Sequence, residues 1–241
     1  MNLHEFDLQN PIIVALDVDT SDECFRLAKA LKSKVGAFKV GPRLSMRYGP
    51  QLVADLAKLG PVFVDNKYLD IPNTMEHAIR ATFESGATLA TVHTWAGLDA
   101  LKRLATVEKE LSQKRPFKIL AVTILTSFTS ETLPPGFDSH SVTHHVIDLA
   151  KLALGCGLTG IVCSPHEVGM VRGLSEDAFL VTPGVRFETE AVADQRRVQT
   201  PAEAMRAGSS ALVIGRPIIE AKDPVEATER ILESIQGTVT A

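Results

Sequence analysis

Residues 61–83 read PVFVDNKYLDIPNTMEHAIRATF, and this stretch joins a buried strand to a helix through a charged turn. Its first part, residues 61–66, is short and rich in Val and Phe, which is typical of a strand buried on both faces. Its last part, residues 72–83, has apolar residues at a period near 3.6 and begins with proline at the first helical position. The stretch therefore predicts one β-strand followed by one α-helix.

The same unit recurs along the chain. Eight strands alternating with helices predict an α/β fold, a (β/α)8 TIM barrel formed by a single domain over residues 1–241. A doubly wound open sheet is the alternative, because periodicity does not show whether a sheet closes. We expect Ser21 to cap the first helix and another helix to begin near Thr200. The other seven predicted strands are residues 12–17, 35–40, 88–93, 118–123, 160–163, 179–182 and 211–215, and the other periodic helices are residues 21–31, 98–111, 144–154 and 224–235.

Composition limits the class of protein. The 241 residues are 45% hydrophobic, and 25 Lys and Arg against 29 Asp and Glu leave a net charge of −4. These values exclude a disordered chain and disfavour a strongly basic face for nucleic acid. Three cysteines are too few for a disulfide framework, so a reducing compartment is expected. With no signal-peptide pattern and no apolar run of about 18 residues, we expect a cytoplasmic protein with no nucleic-acid or membrane partner.

A barrel directs attention to the carboxyl ends of its strands, because active sites of this fold lie there. Charged residues follow several of the predicted strands, and such groups are costly at a barrel mouth unless they pair or bind a ligand. We therefore interpret them as one site rather than as separate solvated charges. The residues are Asp17, Lys39, Asp65, Lys67, Asp70, Arg186 and Arg216.

The densest group is Asp65-x-Lys67-x-x-Asp70. Asp65 and Lys67 are two residues apart on a strand, so both side chains should point into the barrel mouth. Asp70 falls in the turn before the helix. Carboxylates beside an ammonium group stabilise its charged form, and such a group could protonate a carbanion in a dry pocket. The alternative is a buried ion-pair network that only holds this βα unit together.

Residues after the last two strands indicate a phosphate site. Arg186 and Arg216 offer planar, bidentate guanidinium groups, and Gly184 and Gly215 allow the backbone to approach a ligand closely. Residues 187–199 form a long polar stretch between a strand and the next helix. A loop of that length in a compact domain is usually functional, and we interpret it as a closing lid.

The motifs together resemble the orotidine 5′-phosphate decarboxylase family, which makes UMP from orotidine 5′-monophosphate (OMP). They occur in order from about residue 11 to residue 220. The family implies the last step of de novo UMP synthesis, no cofactor, no metal, and a homodimer with shared active sites. The matching runs are ALD (15–17), FKVG (38–41), FVDNKYLDIPNT (63–74), VTILTS (122–127), TPGVR (182–186), DQRR (194–197), TP (200–201) and VIGRP (213–217).

The resemblance also implies roles for individual residues. Lys67 would protonate C6 of the pyrimidine, Asp65 would face the substrate carboxylate, and Lys39 would bridge the charge network and the ribose. Asp70 and Thr74 would reach the ribose in the neighbouring subunit's site. Further substrate contacts would come from Asp17 at the ribose, Thr126 at the pyrimidine edge, Gln195 bridging base and phosphate, and Ile71, Pro183, Arg186, Gly215 and Arg216.

Two positions depart from the family pattern, and two other functions stay open. Asn66 stands where an apolar or small residue is usual, and we expect it to point away from the mouth. Trp95 follows His93 where small residues are usual, and could reshape a wall or a dimer contact. The other functions are a Mg²⁺-dependent sugar-phosphate decarboxylase or aldolase and a silent nucleotide sensor. Such metal-using relatives carry a carboxylate where this chain has Lys39, which favours OMP decarboxylation.

Overall fold

The computed structural model describes residues 8–137, 141–185 and 199–236. Within these ranges eight parallel strands close into a barrel, each paired with its neighbours in chain order and the last with the first. Closure confirms the predicted TIM barrel and excludes the open sheet. The strands are β1 (Ile12–Ala15), β2 (Ala37–Val40), β3 (Val62–Tyr68), β4 (Leu89–His93), β5 (Lys118–Val122), β6 (Gly160–Val162), β7 (Phe179–Pro183) and β8 (Ala211–Ile214).

Helices surround the strands. The five periodic segments and the helix after Thr200 all form, with bounds within two residues of those predicted from periodicity. The prediction that Ser21 caps the first helix is wrong by one residue. The N-cap is Thr20, whose hydroxyl accepts the Glu23 N–H. The helices are α1 (Ser21–Leu31), α2 (Pro42–Ala57), α3 (Pro72–Glu84), α4 (Gly97–Ser112), α5 (Val142–Gly155), α6 (Val168–Arg172), α7 (Pro201–Arg206), α8 (Arg216–Ile219) and α9 (Pro224–Gln236), with a 3₁₀ turn at Thr94–Ala96.

α2 is the longest of the three described helices, with α6 and α8, that the periodicity did not single out. It is broken at Gly49, whose φ of 67° lies in the left-handed region, and Pro50 follows directly. Proline removes a backbone donor, and the glycine takes a conformation that other residues rarely adopt, so one continuous apolar period is lost. The first half of α2 nevertheless begins directly after β2 and places its first turn at the barrel mouth.

The apolar core has two layers. Side chains inside the barrel, including Ile13, Phe63, Leu89 and Leu120, form one buried cluster. Larger clusters fill the space between the strands and the helices. Both faces of the strands are thus buried, as their continuous apolar runs predicted. In the described ranges, no helix combines the length and apolar character that crossing a membrane would require.

Candidate active site

Four of the charged residues predicted at the strand ends form one row across the barrel mouth. Lys39 Nζ lies 3.2 Å from Asp17 Oδ1 and 3.5 Å from Asp65 Oδ2. Lys67 Nζ lies 2.8 Å and 2.9 Å from the two oxygens of Asp65. Acid and base alternate along the row, so each cation has a carboxylate beside it. This arrangement places two ammonium groups around a single, partly buried carboxylate.

Asp65 is the centre of the row. Its side chain is 13% exposed, and that of Lys39 is 10% exposed. Burial alone would raise the pKa of the Asp65 carboxyl, but the charges of Lys39 and Lys67 and hydrogen bonds from Lys67 and Thr91 outweigh burial. The pKa of Asp65 therefore lies below its ordinary value, and the group is a carboxylate at neutral pH.

Lys67 has an unusual backbone. Its φ is 47°, and no other non-glycine residue described here has a positive φ. The pairing of β3 with β4 shifts between Val64 and Tyr68, so a bulge lies where the lysine projects. Bulges redirect side chains and are frequent beside active sites, and left-handed backbone at a residue with a Cβ is unfavourable unless its surroundings hold it. The unfavourable backbone conformation of Lys67 thus coincides with the bulge that directs its side chain to the barrel mouth.

Asn66 points away from the mouth, as predicted. Its side chain accepts a hydrogen bond from Ser45 Oγ on α2 at 2.9 Å and donates one to Tyr68 Oη at 3.1 Å. Tyr68 Oη in turn lies 2.8 Å from Thr82 Oγ1 on α3. Asn66 therefore connects β3 directly to α2, and through Tyr68 to α3, on the side of the strand that faces the helices.

A cavity of about 760 Å³ opens at this end of the barrel. The volume is within the range of sites for small ligands. Its walls bring together residues from all strand ends except that of β4, together with the segment after β5 and the start of α8. Eight of the predicted site residues line it, and they are Asp17, Lys39, Asp65, Lys67, Thr126, Pro183, Gly215 and Arg216.

The end of β4 is closed by aromatic side chains. His93 is 7% exposed, and its ring lies 4.7 Å from that of Trp95, which lies 5.1 Å from Phe137 in the segment between β5 and α5. Burial and the nearby Lys67 charge both lower the pKa of His93, so its imidazole is neutral at neutral pH. Trp95 thus packs against aromatic side chains of its own chain, one of them in the segment between β5 and α5.

Comparison with known proteins places this barrel among relatives. A model of the "Orotidine 5'-phosphate decarboxylase / HUMPS family" matches residues 10–231. The chain belongs to this family. An orotidine 5′-phosphate decarboxylase of Trichlorobacter lovleyi is 44% identical over 236 residues, which cover 97% of this chain and 98% of that protein. One from Geobacter sulfurreducens is 42% identical over 229 residues, covering 94% and 96%.

A solved structure agrees with the sequence relatives. The crystal structure of orotidine 5′-phosphate decarboxylase from Lactobacillus acidophilus matches with a TM-score of 0.82 at 33% identity, over 94% of this chain and 99% of that one. The predicted family, the predicted barrel and the predicted class of enzyme, a carboxy-lyase, are confirmed.

The second half of the family motif lies outside the cavity. Asp70 is exposed, and its Oδ1 accepts the N–H of Ile71 at 2.7 Å. No ion pair with Asp70 forms within residues 8–137, 141–185 and 199–236. Ile71 is 66% exposed and Thr74 is exposed. Lys67 is therefore paired with Asp65 in its own chain and not with Asp70.

Part of the predicted phosphate grip is beyond the described residues. Arg186, Gln195 and most of the predicted lid, residues 187–198, belong to that part of the chain, so their roles stay predictions. On either side, Gly184 has a φ of 86°, and Val185 pairs with Gln199 across the segment. Gly215 has a negative φ, and a Cβ there would make only ordinary contacts.

Sequence reasoning missed several polar residues of the site, and two of them, Arg43 and Thr91, bond to members of the charged row. Arg43, in the first turn of α2, lines the cavity and donates from Nη1 to the main-chain oxygen of Asp17 at 2.7 Å. A basic residue three positions after β2 was the available signal. Thr91 lies inside β4 and bonds both Asp65 and the main chain of Lys67. Its only signal was a hydroxyl within an apolar strand.

Proposed function

We propose that this chain decarboxylates OMP to UMP and CO2 without a cofactor, as the last step of de novo UMP synthesis. The observation that carries the proposal is the Lys67 ammonium, held at 2.8–2.9 Å by the partly buried Asp65 carboxylate inside a ligand-sized cavity. The decarboxylase names of its relatives support the same reaction.

The proposed chemistry needs a cation at one carbon. The bond between C6 of the pyrimidine and its carboxylate breaks, CO2 leaves, and the electron pair stays on C6. No adjacent group takes up that charge, so the barrier is high. A fixed ammonium at C6 stabilises the developing carbanion without reorganising, and it then donates its proton to complete UMP. Lys67 is the residue proposed for both roles.

The other members of the row orient and balance this charge. Asp65 would face the substrate carboxylate, and the departure of CO2 would relieve their repulsion. Lys39 lies between Asp17 and Asp65, at 3.2 Å and 3.5 Å, where it neutralises both and would reach the ribose hydroxyls. Asp17 is half-exposed and would bind the ribose as well.

Other residues of the cavity wall would hold the two ends of the nucleotide. Thr126 would contact the pyrimidine edge, and Pro183, Gly215 and Arg216 would surround the phosphate, together with Arg186 and Gln195. All of the described residues in this group line the cavity. Binding energy at the remote phosphate would then be used to close the site around the reacting base.

Replacing Arg216 by alanine is expected to lower kcat/KM for OMP by about 10²-fold, because a charge-assisted contact to the phosphate is lost. Orotidine, which lacks the phosphate, should lose much less. Decarboxylation of both compounds by the variant and the wild-type protein, followed by absorbance, measures the difference. Equal losses on the two substrates would remove Arg216 from the phosphate site.

A homodimer is part of the proposal. Leu69 and Ile71 flank Asp70 and are 52% and 66% exposed, and Leu98 at the start of α4 is 48% exposed. Exposed large apolar side chains such as these are enriched at interaction surfaces. A second copy of the chain would cover them and receive Asp70 and Thr74 in its own site. We propose a cytoplasmic location for this dimer.

Sugar-phosphate lyases that use Mg²⁺ are the second candidate, since the matching family includes more than one activity by its name. Their second-strand carboxylate would help to hold the metal. Lys39 occupies that position here and lies within 3.5 Å of both neighbouring acids. A cation at this point repels a divalent metal ion, so the position of Lys39 favours metal-free decarboxylation of OMP over a Mg²⁺-dependent reaction.

The deciding experiment is the ultraviolet absorbance change after OMP is added to the purified protein, with and without EDTA. Rapid loss of OMP that is insensitive to EDTA is expected. If OMP stays intact while a sugar phosphate reacts in a Mg²⁺-dependent manner, the protein belongs with the metal-using lyases, and Lys39 needs another role.

A further inference from the structure

Thr91 lies on β4 opposite the bulge of β3. The regular pairs on either side are Val64 with Ala90 and Tyr68 with Val92. Three residues of β3, residues 65–67, therefore face the single residue Thr91. The extra residues cannot all join the strand ladder, so their polar groups need other partners. Thr91 is 1% exposed and is placed to supply them.

One hydroxyl serves two catalytic residues at once. Thr91 Oγ1 accepts the backbone N–H of Lys67 at 2.9 Å and donates to Asp65 Oδ1 at 3.0 Å. The same Asp65 oxygen accepts Lys67 Nζ at 2.8 Å. These three bonds close a ring that runs from the Lys67 main chain through Thr91 and Asp65 to the Lys67 ammonium. Both ends of the lysine are thereby held relative to the carboxylate.

The ring coincides with the strained backbone. Lys67 has a φ of 47°, a conformation that persists only where its surroundings over-determine it. The hydrogen bond from the Lys67 N–H to Thr91 is one of the contacts that hold this conformation. A hydroxyl that is both acceptor and donor is needed, because the N–H donates and the carboxylate only accepts.

We propose that Thr91 is a positioning residue for the decarboxylation proposed above, its hydroxyl fixing Lys67 and Asp65 in their reactive arrangement. The inference rests on that proposed function. Asp65 and Lys67 both line the cavity, whereas Thr91 is not among the described residues that line it. It acts on the reaction through them and not by touching the substrate.

Thr91→Val keeps the shape of the side chain and removes both hydrogen bonds. The expected result is a fall in kcat of about 10- to 100-fold, the usual effect of displacing catalytic groups by up to about 1 Å. KM for OMP and the affinity for UMP should change little, because the phosphate and ribose contacts are intact. Thr91→Ser, which keeps the hydroxyl, should stay within about threefold of the wild-type kcat.

The pH profile gives a second signature. The Thr91 hydrogen bond is one of the interactions that lower the pKa of Asp65 against the effect of burial. Its loss raises that pKa, so activity that needs the carboxylate should begin to fall at a higher pH in Thr91→Val than in the wild type. The charged or titratable groups around Asp65 are Asp17 after β1, Lys39 on β2, Lys67 on β3 and His93 on β4.

Thr182→Val is the matched control. Thr182 is a fully buried strand threonine whose hydroxyl lies 2.6 Å from Ser209 Oγ, and among the described residues it has no hydrogen bond to the charged row. It should lose thermal stability to a similar extent as Thr91→Val while keeping its kcat and pH profile. Each variant is compared by thermal unfolding, by steady-state kinetics on OMP across pH and by UMP binding.

Several outcomes would overturn the proposal. They are a Thr91→Val enzyme with unchanged kcat and pH profile, a Thr91→Ser enzyme as impaired as Thr91→Val, or an equal loss of kcat in Thr182→Val. If Thr91→Val does not fold, Thr91→Ala, which introduces no clash, is judged by the same criteria. A wild-type protein that does not consume OMP would instead overturn the proposed function itself, and the same assay reports it separately.

Discussion

Lys67→Ala is expected to lower kcat for OMP by about 10⁴-fold or more, because the variant loses both the proton donor and the cation that stabilises the carbanion. Lys39, the other lysine described in the cavity wall, is held between Asp17 and Asp65, so we do not expect it to replace Lys67 as the proton donor. The measurement is the absorbance decay of OMP at high enzyme concentration, with dialysed wild-type enzyme as the reference.

The fold should survive this change. The Lys67 side chain is 37% exposed and lies at the cavity and not in the apolar core, and Asp65 keeps Lys39 and Thr91 as partners. Lys58→Ala is a suitable control because it removes an exposed lysine from its ion pair with Asp55, 2.6 Å away, far from the chemistry. It should retain full activity. A folded Lys67→Ala enzyme within about 100-fold of the wild type would show that another group donates the proton.

The sequence predicted the barrel and the row of charges because both depend on local patterns. Apolar runs that alternate with helical periods are sufficient for eight buried strands, and closure then brings the strand ends to one rim. Asp17, Lys39, Asp65 and Lys67 could be assigned to that rim by counting residues beyond each run. Their ion pairs followed from this common position.

The bulge was not predictable in the same way. A period of two places Asp65 and Lys67 on one side, but it does not show that β3 continues to Tyr68 or that Lys67 takes a positive φ. These features depend on the register with β4 and on a hydroxyl from Thr91, which is 24 residues away from Lys67 in sequence. Contacts between separate elements determine where the strand ends and which backbone conformation Lys67 adopts, and the sequence pattern of one strand does not show those contacts.

Asp70 illustrates a different limit. Its place in the motif suggests a second carboxylate beside Lys67, yet it is exposed and bonds the N–H of the next residue. Sequence spacing cannot distinguish a partner within one chain from a partner in another. The exposed apolar residues on both sides of Asp70, Leu69 and Ile71, agree with a role across an interface.

Mixing two inactive variants tests that role directly. In the proposed symmetric dimer each site takes Lys67 from one subunit and Asp70 from the other. A mixed dimer of Lys67→Ala and Asp70→Ala then holds one site with both residues intact and one site that lacks both. Random exchange of equal amounts makes half of the dimers mixed, so activity should return to about one quarter of the wild-type value.

A second mixture controls for nonspecific rescue. Asp65 lies 2.8 Å from Lys67 within the same chain, so a mixed dimer of Lys67→Ala and Asp65→Ala has no intact site and should stay inactive. The two mixtures differ only in whether the second residue acts within its chain or across the interface. Recovery in the first mixture alone assigns Asp70 to the neighbouring site. If native mass spectrometry detects mixed dimers and neither mixture regains activity, Asp70 does not act across the interface.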